Sequence, residues 1–184
     1  MTEEASPGHG WLPPDQYVTT IANATFFGCL FFTDTQGRPM QMRSVLDPDR
    51  WDWPGGNTEK GETPWETAVR ECFEETGIRF AGEPRLLATS FAPVGGGWPL
   101  CHIGFTFDGG TLTDDQIDAI VLDPTEHSDL SVRSLDEWRA AMDPGEYTLL
   151  AATDAARRSG VAAYLQHEPV QRRRPDGTPI GENL

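Results

Sequence analysis

The sequence predicts an α/β or α+β fold in which helices cover a β-sheet. Apolar runs of strand length precede and follow one internal helix, that helix has clear start and stop signals, and helical periodicity returns near the end of the chain. With 184 residues, 38% of them hydrophobic, the chain can bury one core. We therefore expect a single domain.

The strand predictions begin at residue 24. The run ATFFGCLFFTD is apolar and aromatic at the length of a buried strand, and TDTQGR supplies turn residues before the alternating run PMQMRSVL. These two runs are predicted to form a hairpin. The further strand candidates are RLLATSFAP (85–93), LCHIGFTFDGG (100–110), IDAIVLD (117–123) and LSVRS (130–134).

Two more helices are predicted towards the end of the chain. LDEWRAAM follows Ser134, a suitable N-cap with Glu137 three residues on, and EYTLLAATDAARRSGVAAYLQ (146–166) has amphipathic spacing. We expect residues 1–16 to be a flexible segment, 17–166 the domain, and 167–184 a disordered tail. The basic residues 172–174 are expected to be solvated, with a phosphate contact as the alternative.

Charge and composition exclude several classes of function. The net charge of -15 and pI near 4.5 oppose a long nucleic acid partner, because such binding depends on Lys and Arg at phosphates. No apolar run approaches the roughly 20 residues of a membrane helix, and the acidic N-terminus is unlike a secretory signal. We expect a cytoplasmic protein without a membrane partner, in which Cys29, Cys72 and Cys101 are small core residues.

The internal helix has well-defined ends. Thr63 can cap its first turn, Pro64 suits the first helical position, and Glu66 completes a capping box. Gly77 is the residue best able to adopt the left-handed conformation at the C-terminus. The sequence therefore predicts a helix of about three turns between Thr63 and Gly77.

The same helix concentrates acidic side chains. The spacing predicts that Glu71, Glu74 and Glu75 share one face of the helix. The opposite, core face is predicted to consist of Trp65, Ala68, Val69, Cys72 and Phe73. Like charges at this spacing repel, and Arg70, which can meet Glu66 or Glu74, cannot neutralise the cluster alone. A hard divalent cation such as Mg²⁺ would fill the site. A solvated acidic face is the alternative that the carboxylates leave open.

The preceding loop adds glycines and a further carboxylate. With them, the stretch from Gly56 to Ile78 resembles the Nudix box, G-x5-E-x7-R-E-U-x-E-E-x-G-U, where U is a bulky aliphatic residue. The fixed positions are filled by Gly56, Glu62, Arg70, Glu71, Glu74, Glu75 and Gly77, with Ile78 at the last U. Cys72 at the first U is a departure that keeps the position apolar. The region from about residue 17 to residue 165 resembles bacterial Nudix hydrolases more loosely.

The resemblance implies an α/β/α sandwich with a mixed sheet and a loop-helix-loop catalytic motif. It also implies hydrolysis of a phosphoanhydride in a nucleoside diphosphate linked to another group, with Mg²⁺ as cofactor and Mn²⁺ as a substitute. Carried over by position, the metal ligands are the Gly55 carbonyl, Glu71, Glu74 and Glu75. Arg70 would then orient a carboxylate, and Glu62 would help to order the loop or a metal-bound water.

The general base is expected outside the box. Glu126, in the loop DPTEHSD, is favoured over its neighbour His127, whose ordinary pKa suits a base near neutral pH. Two other functions stay open: a non-catalytic Nudix-fold nucleotide sensor, and an enzyme like the isoprenoid-diphosphate isomerases, whose own motifs are not found. The substrate is expected to be a small nucleotide derivative, such as a nucleoside triphosphate, ADP-ribose or a nucleotide sugar. A homodimer is compatible with the sequence.

Overall fold

The computed structural model of the chain describes residues 10–169 and 178. The basic residues 172–174 and most of the two terminal segments lie outside the described residues, so the domain bounds 17–166 stay predictions. The helices are α1 (Pro14–Tyr17), α2 (Pro64–Thr76), α3 (Asp114–Asp118), α4 (Leu135–Ala141) and α5 (Pro144–Ser159). The strands are β1 (Ala24–Asp34), β2 (Met40–Ser44), β3 (Trp51–Asp52), β4 (Gly55–Asn57), β5 (Leu86–Ala92), β6 (Cys101–Leu112), β7 (His127–Val132) and β8 (Ala163–Gln166).

The strands form two sheets. The larger sheet has the order β4-β1-β6-β5-β8, and the smaller has the order β3-β2-β7. In the larger sheet, β1 runs parallel to β6 and β5 runs parallel to β8, while the other pairs are antiparallel. The predicted mixed sheet is therefore confirmed.

Strand β1 separates two halves of the core. Leu30 and Phe32 pack on the side of α2, together with Ala68 and Cys72 of that helix. Alternate residues of the strand point the other way, and there Cys29 and Phe31 join Trp138 of α4 and Leu150 of α5. Helices thus cover both faces of the sheet, as the predicted α/β/α sandwich requires. All three cysteines are free and buried, as expected of small core residues.

The predicted hairpin between the first two strands is only partly right. The turn forms, because the Asp34 carboxylate accepts hydrogen bonds from the backbone N–H groups of Gln36 (3.0 Å) and Arg38 (2.7 Å). Beyond one bridge between Thr33 and Pro39, however, β1 and β2 enter different sheets. β6 pairs with the whole length of β1 and β4 takes part of its other edge, so β2 pairs with β3 and β7 instead.

The strand predicted at residues 117–123 is wrong. This stretch contains the end of α3 and irregular chain up to β7. Thr113 caps α3 with a capping box that includes Gln116, a helix-start signal present in the sequence TDDQ. An apolar run as short as IDAIVLD cannot by itself distinguish strand from helix.

The closing helix predicted over residues 146–166 is also wrong in extent. Asp143 caps α5, and the helix ends at Gly160, whose φ of 75° is left-handed. The chain then turns back and adds β8 beside β5. The WDWPGG segment, where no strand was predicted, supplies β3 and β4. Among the described residues, no helix is both long enough and apolar enough to cross a membrane.

Candidate active site

Helix α2 begins and ends where the sequence predicts. The Glu66 N–H donates to Thr63 Oγ1 (3.3 Å), and the Thr63 N–H donates to Glu66 Oε2 (2.8 Å), which completes the capping box. At the other end, Gly77 has a φ of 75° and its N–H donates to the Phe73 carbonyl. The box helix therefore has both termini satisfied by its own sequence.

Two glycines let the helix approach the sheet closely. A Cβ at Gly28 of β1 would lie 1.9 Å from the backbone oxygen of Pro64, the first residue of α2. A Cβ at Gly56 of β4 would lie 2.2 Å from Oε1 of Glu71. The glycine that opens the Nudix box thus leaves room for one of its own carboxylates.

Arg70 binds three carboxylates of the box. Its Nε and Nη2 donate to the two oxygens of Glu62 at 2.8 and 3.1 Å, and Nη1 donates to Glu71 (2.8 Å) and Glu74 (2.9 Å). The hydrogen bonds from Arg70 lower the pKa of Glu62 to about 2. Of the two partners predicted for Arg70, Glu74 is correct, whereas Glu66 is used for capping. Arg70 therefore fixes Glu62 and orients Glu71, and the catalytic roles expected of Arg70 and Glu62 stay predictions.

The predicted division of α2 into a core face and an acidic face is wrong at two residues. Glu75 is buried, with 3% of its surface exposed, whereas Phe73 is 41% exposed and has the guanidinium of Arg79 4.1 Å from its ring centroid. Seven residues make almost two helical turns, so Glu75 lies nearly over Ala68 on the buried side. This spacing was present in the sequence and would have placed Glu75 correctly.

Two hydrogen bonds fix the buried carboxylate of Glu75. Its Oε2 accepts from the Gly55 N–H (2.8 Å), and its Oε1 lies 3.0 Å from Nε2 of His127. Burial raises the pKa of Glu75 to about 7, against the opposing effect of these hydrogen bonds. Burial lowers the pKa of His127, but the hydrogen bond and charge of Glu75 outweigh this and raise it overall. Gly55 thus contacts Glu75 through its N–H, and the role expected for its carbonyl stays a prediction.

Glu126 completes a cluster around Glu75. One ligand atom each from Glu75, Glu126 and His127 lies within 4.8 Å of the others, an arrangement that could hold a metal ion. Glu126 is exposed, whereas His127 is 6% exposed with its Nε2 engaged by Glu75. Of the two candidate bases, Glu126 is thus the more accessible. The contact between His127 and Glu75 was missed because nothing in the sequence links residues 52 positions apart.

The remaining box carboxylates lie on the Arg70 side of the helix. Glu71 and Glu74 both accept from Arg70 Nη1, and the side chain of Glu74 is 54% exposed. Burial raises the pKa of Glu71, while Arg70 counteracts this rise. Glu71 and Glu74 therefore share Arg70 as a partner, while Glu75 is turned towards His127, and the metal roles expected of all three stay predictions.

A cavity of about 540 Å³ lies at the ends of β5 and β8 and at the start of α5. Its size is within the range of small-molecule sites. It is lined by Phe91, Pro93, Gly145, Thr148, Leu165, Gln166, His167 and Glu168. None of the predicted site residues is among them, so the cavity is separate from the carboxylate cluster.

Comparison with known proteins identifies the family. The model of the NUDIX domain matches residues 22–153, and the chain therefore belongs to the Nudix family. Among curated proteins, it is 42% identical over 52 residues to diphosphoinositol polyphosphate phosphohydrolase 3-beta of Bos taurus, a match covering 28% of this chain. The chain spans 32% of the length of that relative.

Solved structures of similar fold cover far more of the chain. The MutT protein from Methanosarcina mazei Go1 has a TM-score of 0.59 and 21% identity, covering 76% of this chain and 96% of that protein. A C. elegans Ap4A hydrolase has a TM-score of 0.53 and 18% identity, covering 73% of this chain and 98% of that protein. At this level of identity the likeness establishes the Nudix fold.

Proposed function

We propose that this protein is a divalent-metal-dependent hydrolase that cleaves a phosphoanhydride bond in a nucleoside diphosphate linked to another group. The observation that carries the proposal is the Nudix box with every charged position filled, in which Glu75 is buried beside Glu126 and His127. A buried carboxylate whose pKa is perturbed by its surroundings is typical of functional sites. A cytoplasmic location and a homodimer stay predictions.

The residues of the cluster fit a divalent cation. Carboxylate oxygens are the ligands that Mg²⁺ and Mn²⁺ prefer, and Glu75 and Glu126 bring two of them within 4.8 Å of each other. Glu71 lies near both, because the charge of Glu126 raises the pKa of Glu71 and the charge of Glu71 raises the pKa of Glu75. Bound there, Mg²⁺ would offset the negative charge of the phosphate oxygens and polarise water. Glu71 and Glu75 would hold it, with Mn²⁺ as a substitute, and Glu126 would lie beside the ion.

The residues around the metal site would orient its ligands, order the loop and take up the proton. Arg70 orients Glu71 and anchors Glu62, which also accepts from Thr67 Oγ1 and thereby ties the loop to the helix. Glu126 is exposed and adjacent to Glu75, the position required of a base that takes a proton from the attacking water. Glu74 interacts with Arg70 from the exposed side of the helix and would act through it.

A diphosphoinositol polyphosphate is the second candidate substrate, favoured by the identity with the Bos taurus relative. Such a ligand carries many phosphate groups, which proteins recognise with clusters of Arg and Lys. This chain has 14 Lys and Arg against 29 Asp and Glu, and Arg70 is already engaged by carboxylates. Charge therefore favours a substrate with fewer phosphates, of the nucleotide type.

A substrate panel tests the proposed function directly. The protein would be incubated with nucleoside triphosphates, ADP-ribose, nucleotide sugars and a diphosphoinositol polyphosphate, each with Mg²⁺ or Mn²⁺, and the phosphate-containing products would be measured. We expect turnover of a nucleotide derivative that a chelator abolishes and added Mg²⁺ restores. Binding without cleavage of every member would indicate a sensor, and cleavage that survives exhaustive metal removal would contradict the mechanism.

Substitution of Glu75 tests the site within that assay. Glu75→Gln keeps the shape and removes the charge, and we expect kcat to fall by at least about 10²-fold, the scale of losing one electrostatic contributor at a preorganised site. Glu83→Gln is the matched control, because Glu83 lies in an exposed loop and its substitution changes the net charge equally. Near-normal turnover by Glu75→Gln would remove Glu75 from the catalytic site.

A further inference from the structure

We propose that His127 is a positioning residue that fixes the carboxylate of Glu75 and holds the loop that presents Glu126. This inference rests on the proposed function, since it assigns both carboxylates to the metal site. It concerns a histidine that the Nudix box does not contain. Its role would be exerted through Glu75, without contact with the substrate.

The first support is the geometry at Glu75. One carboxylate oxygen accepts from the Gly55 N–H and the other is engaged by His127 Nε2, at 2.8 and 3.0 Å. When Glu75 is ionised its carboxylate can only accept hydrogen bonds, so Nε2 is then the donor in this pair. Partners on both oxygens prevent the carboxylate from rotating. With 3% of Glu75 and 6% of His127 exposed, bulk water has little access to replace either partner.

The second support is the path of the loop before β7. The N–H groups of Val121 and Asp123 donate to the carbonyls of Thr76 and Glu75 at the end of α2, both at 3.2 Å. The His127 N–H then donates to the Asp123 carbonyl (2.9 Å). The loop is thus joined to the box helix through its backbone at one end and through the His127 side chain at the other.

The position of Glu126 is set by the backbone of this loop. It directly precedes His127, its carbonyl accepts from the Val45 N–H at 2.8 Å, and its side chain is exposed. The carboxylate has no buried packing of its own to bring it within 4.8 Å of Glu75. Its approach to Glu75 therefore follows from the backbone, which the Val45 N–H holds at Glu126 and the His127 side chain holds at the next residue.

The expected effect of losing His127 is on metal affinity. Residues that orient metal ligands typically change metal affinity or activity by about 10- to 100-fold when they are substituted. A purely structural role would instead lower the melting temperature and leave the affinity of the folded protein unchanged. Measuring metal binding without substrate therefore distinguishes a positioning role of His127 from a purely structural one.

Two variants of matched chemistry provide the test. His127→Gln can place its amide nitrogen near the position of Nε2 and donate to Glu75, whereas the shorter His127→Asn cannot reach it. Mn²⁺ and Mg²⁺ binding to the full chain would be measured by calorimetry without substrate, and melting temperatures would be recorded without metal. We expect the Asn variant to bind Mn²⁺ about 10- to 100-fold more weakly, and the Gln variant to stay within about threefold of the wild type, because it keeps the donor.

Wild-type Mn²⁺ affinity in a folded His127→Asn variant would overturn the inference. So would an equal loss of affinity in both variants, because the hydrogen bond to Glu75 would then not be the cause. The result is separable from the proposed function. A wild-type protein that binds metal through this arrangement but cleaves no member of the substrate panel would contradict the proposed function alone, whereas a wild type that binds neither cation would contradict both.

Discussion

Substituting Gly56 by Ala should impair the site while leaving the fold intact. The added Cβ would lie 2.2 Å from Oε1 and 2.4 Å from Cδ of Glu71, both at the end of a flexible side chain. Glu71 must then take another rotamer and lose its 2.8 Å contact with Arg70. Gly56 is not among the residues with positive φ, so its backbone accepts alanine. We expect a folded protein with a displaced carboxylate.

The magnitudes for Gly56→Ala follow from these contacts. A strained side chain destabilises the folded state by about 0.5–1.5 kcal/mol. Replacing Gly by Ala at a compatible position stabilises the protein by about 0.4–1 kcal/mol, because the unfolded chain loses conformational entropy. The free energy of unfolding should therefore change by no more than about 1 kcal/mol, which corresponds to a shift in melting temperature of at most roughly 2–4 °C for a chain of this size. Loss of one charge from a preorganised site should lower kcat by about 10²-fold or more.

Gly28→Ala is the matched control. Its Cβ would lie 1.9 Å from a backbone oxygen of Pro64, so the whole helix must move. Overpacking of this kind costs about 1–3 kcal/mol, or roughly 2–12 °C in melting temperature. Calorimetric melting and turnover on the substrate found in the panel measure both effects. Near-normal turnover in Gly56→Ala, or a loss of stability as large as in Gly28→Ala, would refute the reasoning.

Two further predictions concern pH and stability. Burial raises the pKa of Glu146 to about 7 from its ordinary 4.5, and its Oε2 has no hydrogen-bond partner among the described residues. The folded state therefore favours the protonated carboxyl group. The stability that this group contributes is complete below pH 4.5 and is lost as the pH rises through 7. Melting temperatures should therefore show Glu146→Gln gaining on the wild type across this window, and a difference independent of pH would contradict the cause. Burial alone would raise the pKa of Asp34, but hydrogen bonds from Arg38 and Gln36 lower it below its ordinary 3.8. The stability that the ionised Asp34 contributes is therefore present above pH 3.8 and is lost as the pH falls through the lowered pKa. Asp34→Asn should be less stable than the wild type at pH 7, with a deficit that shrinks below pH 3.8, and an unchanged deficit in acid would count against the ion pair.

The parts of the fold that depend on neighbouring residues were predictable from sequence. The ends of α2 follow from Thr63, Glu66 and Gly77, whose hydrogen bonds span three or four residues. Signals of the same kind at Thr113 and Gly160 would have corrected α3 and the end of α5. The short apolar run at residues 117–123 and the amphipathic spacing over 146–166 are weaker signals of element type and extent than these capping residues.

Strand partners and the centre of the site were not predictable in this way. β8 forms because β5 offers an edge more than seventy residues earlier in the chain, and the hydrogen bond between Glu75 and His127 spans 52 positions. Helical periodicity indicates that Glu75 is buried, but it cannot identify the partner. Family resemblance assigned the box residues, yet the side chain of His127, which contacts Glu75, lies outside the box.

Divalent-metal binding at the cluster around Glu75 is the claim on which the account depends, and thermal unfolding tests it without knowledge of the substrate. A ligand at ten times its Kd stabilises the native state by about 1.4 kcal/mol, or roughly 3–6 °C in melting temperature for a chain of this size. Because salt alone screens a protein of charge -15, Mg²⁺ must be compared with NaCl at equal ionic strength.

The measurement is the Mg²⁺-specific rise in melting temperature of the wild type, Glu75→Gln and Glu83→Gln. The account predicts that the rise is present in the wild type, retained in Glu83→Gln and abolished in Glu75→Gln, because Glu75 belongs to the site and Glu83 does not. An equal rise in all three proteins would mean that Mg²⁺ acts on the overall charge, and would contradict a metal site at Glu75.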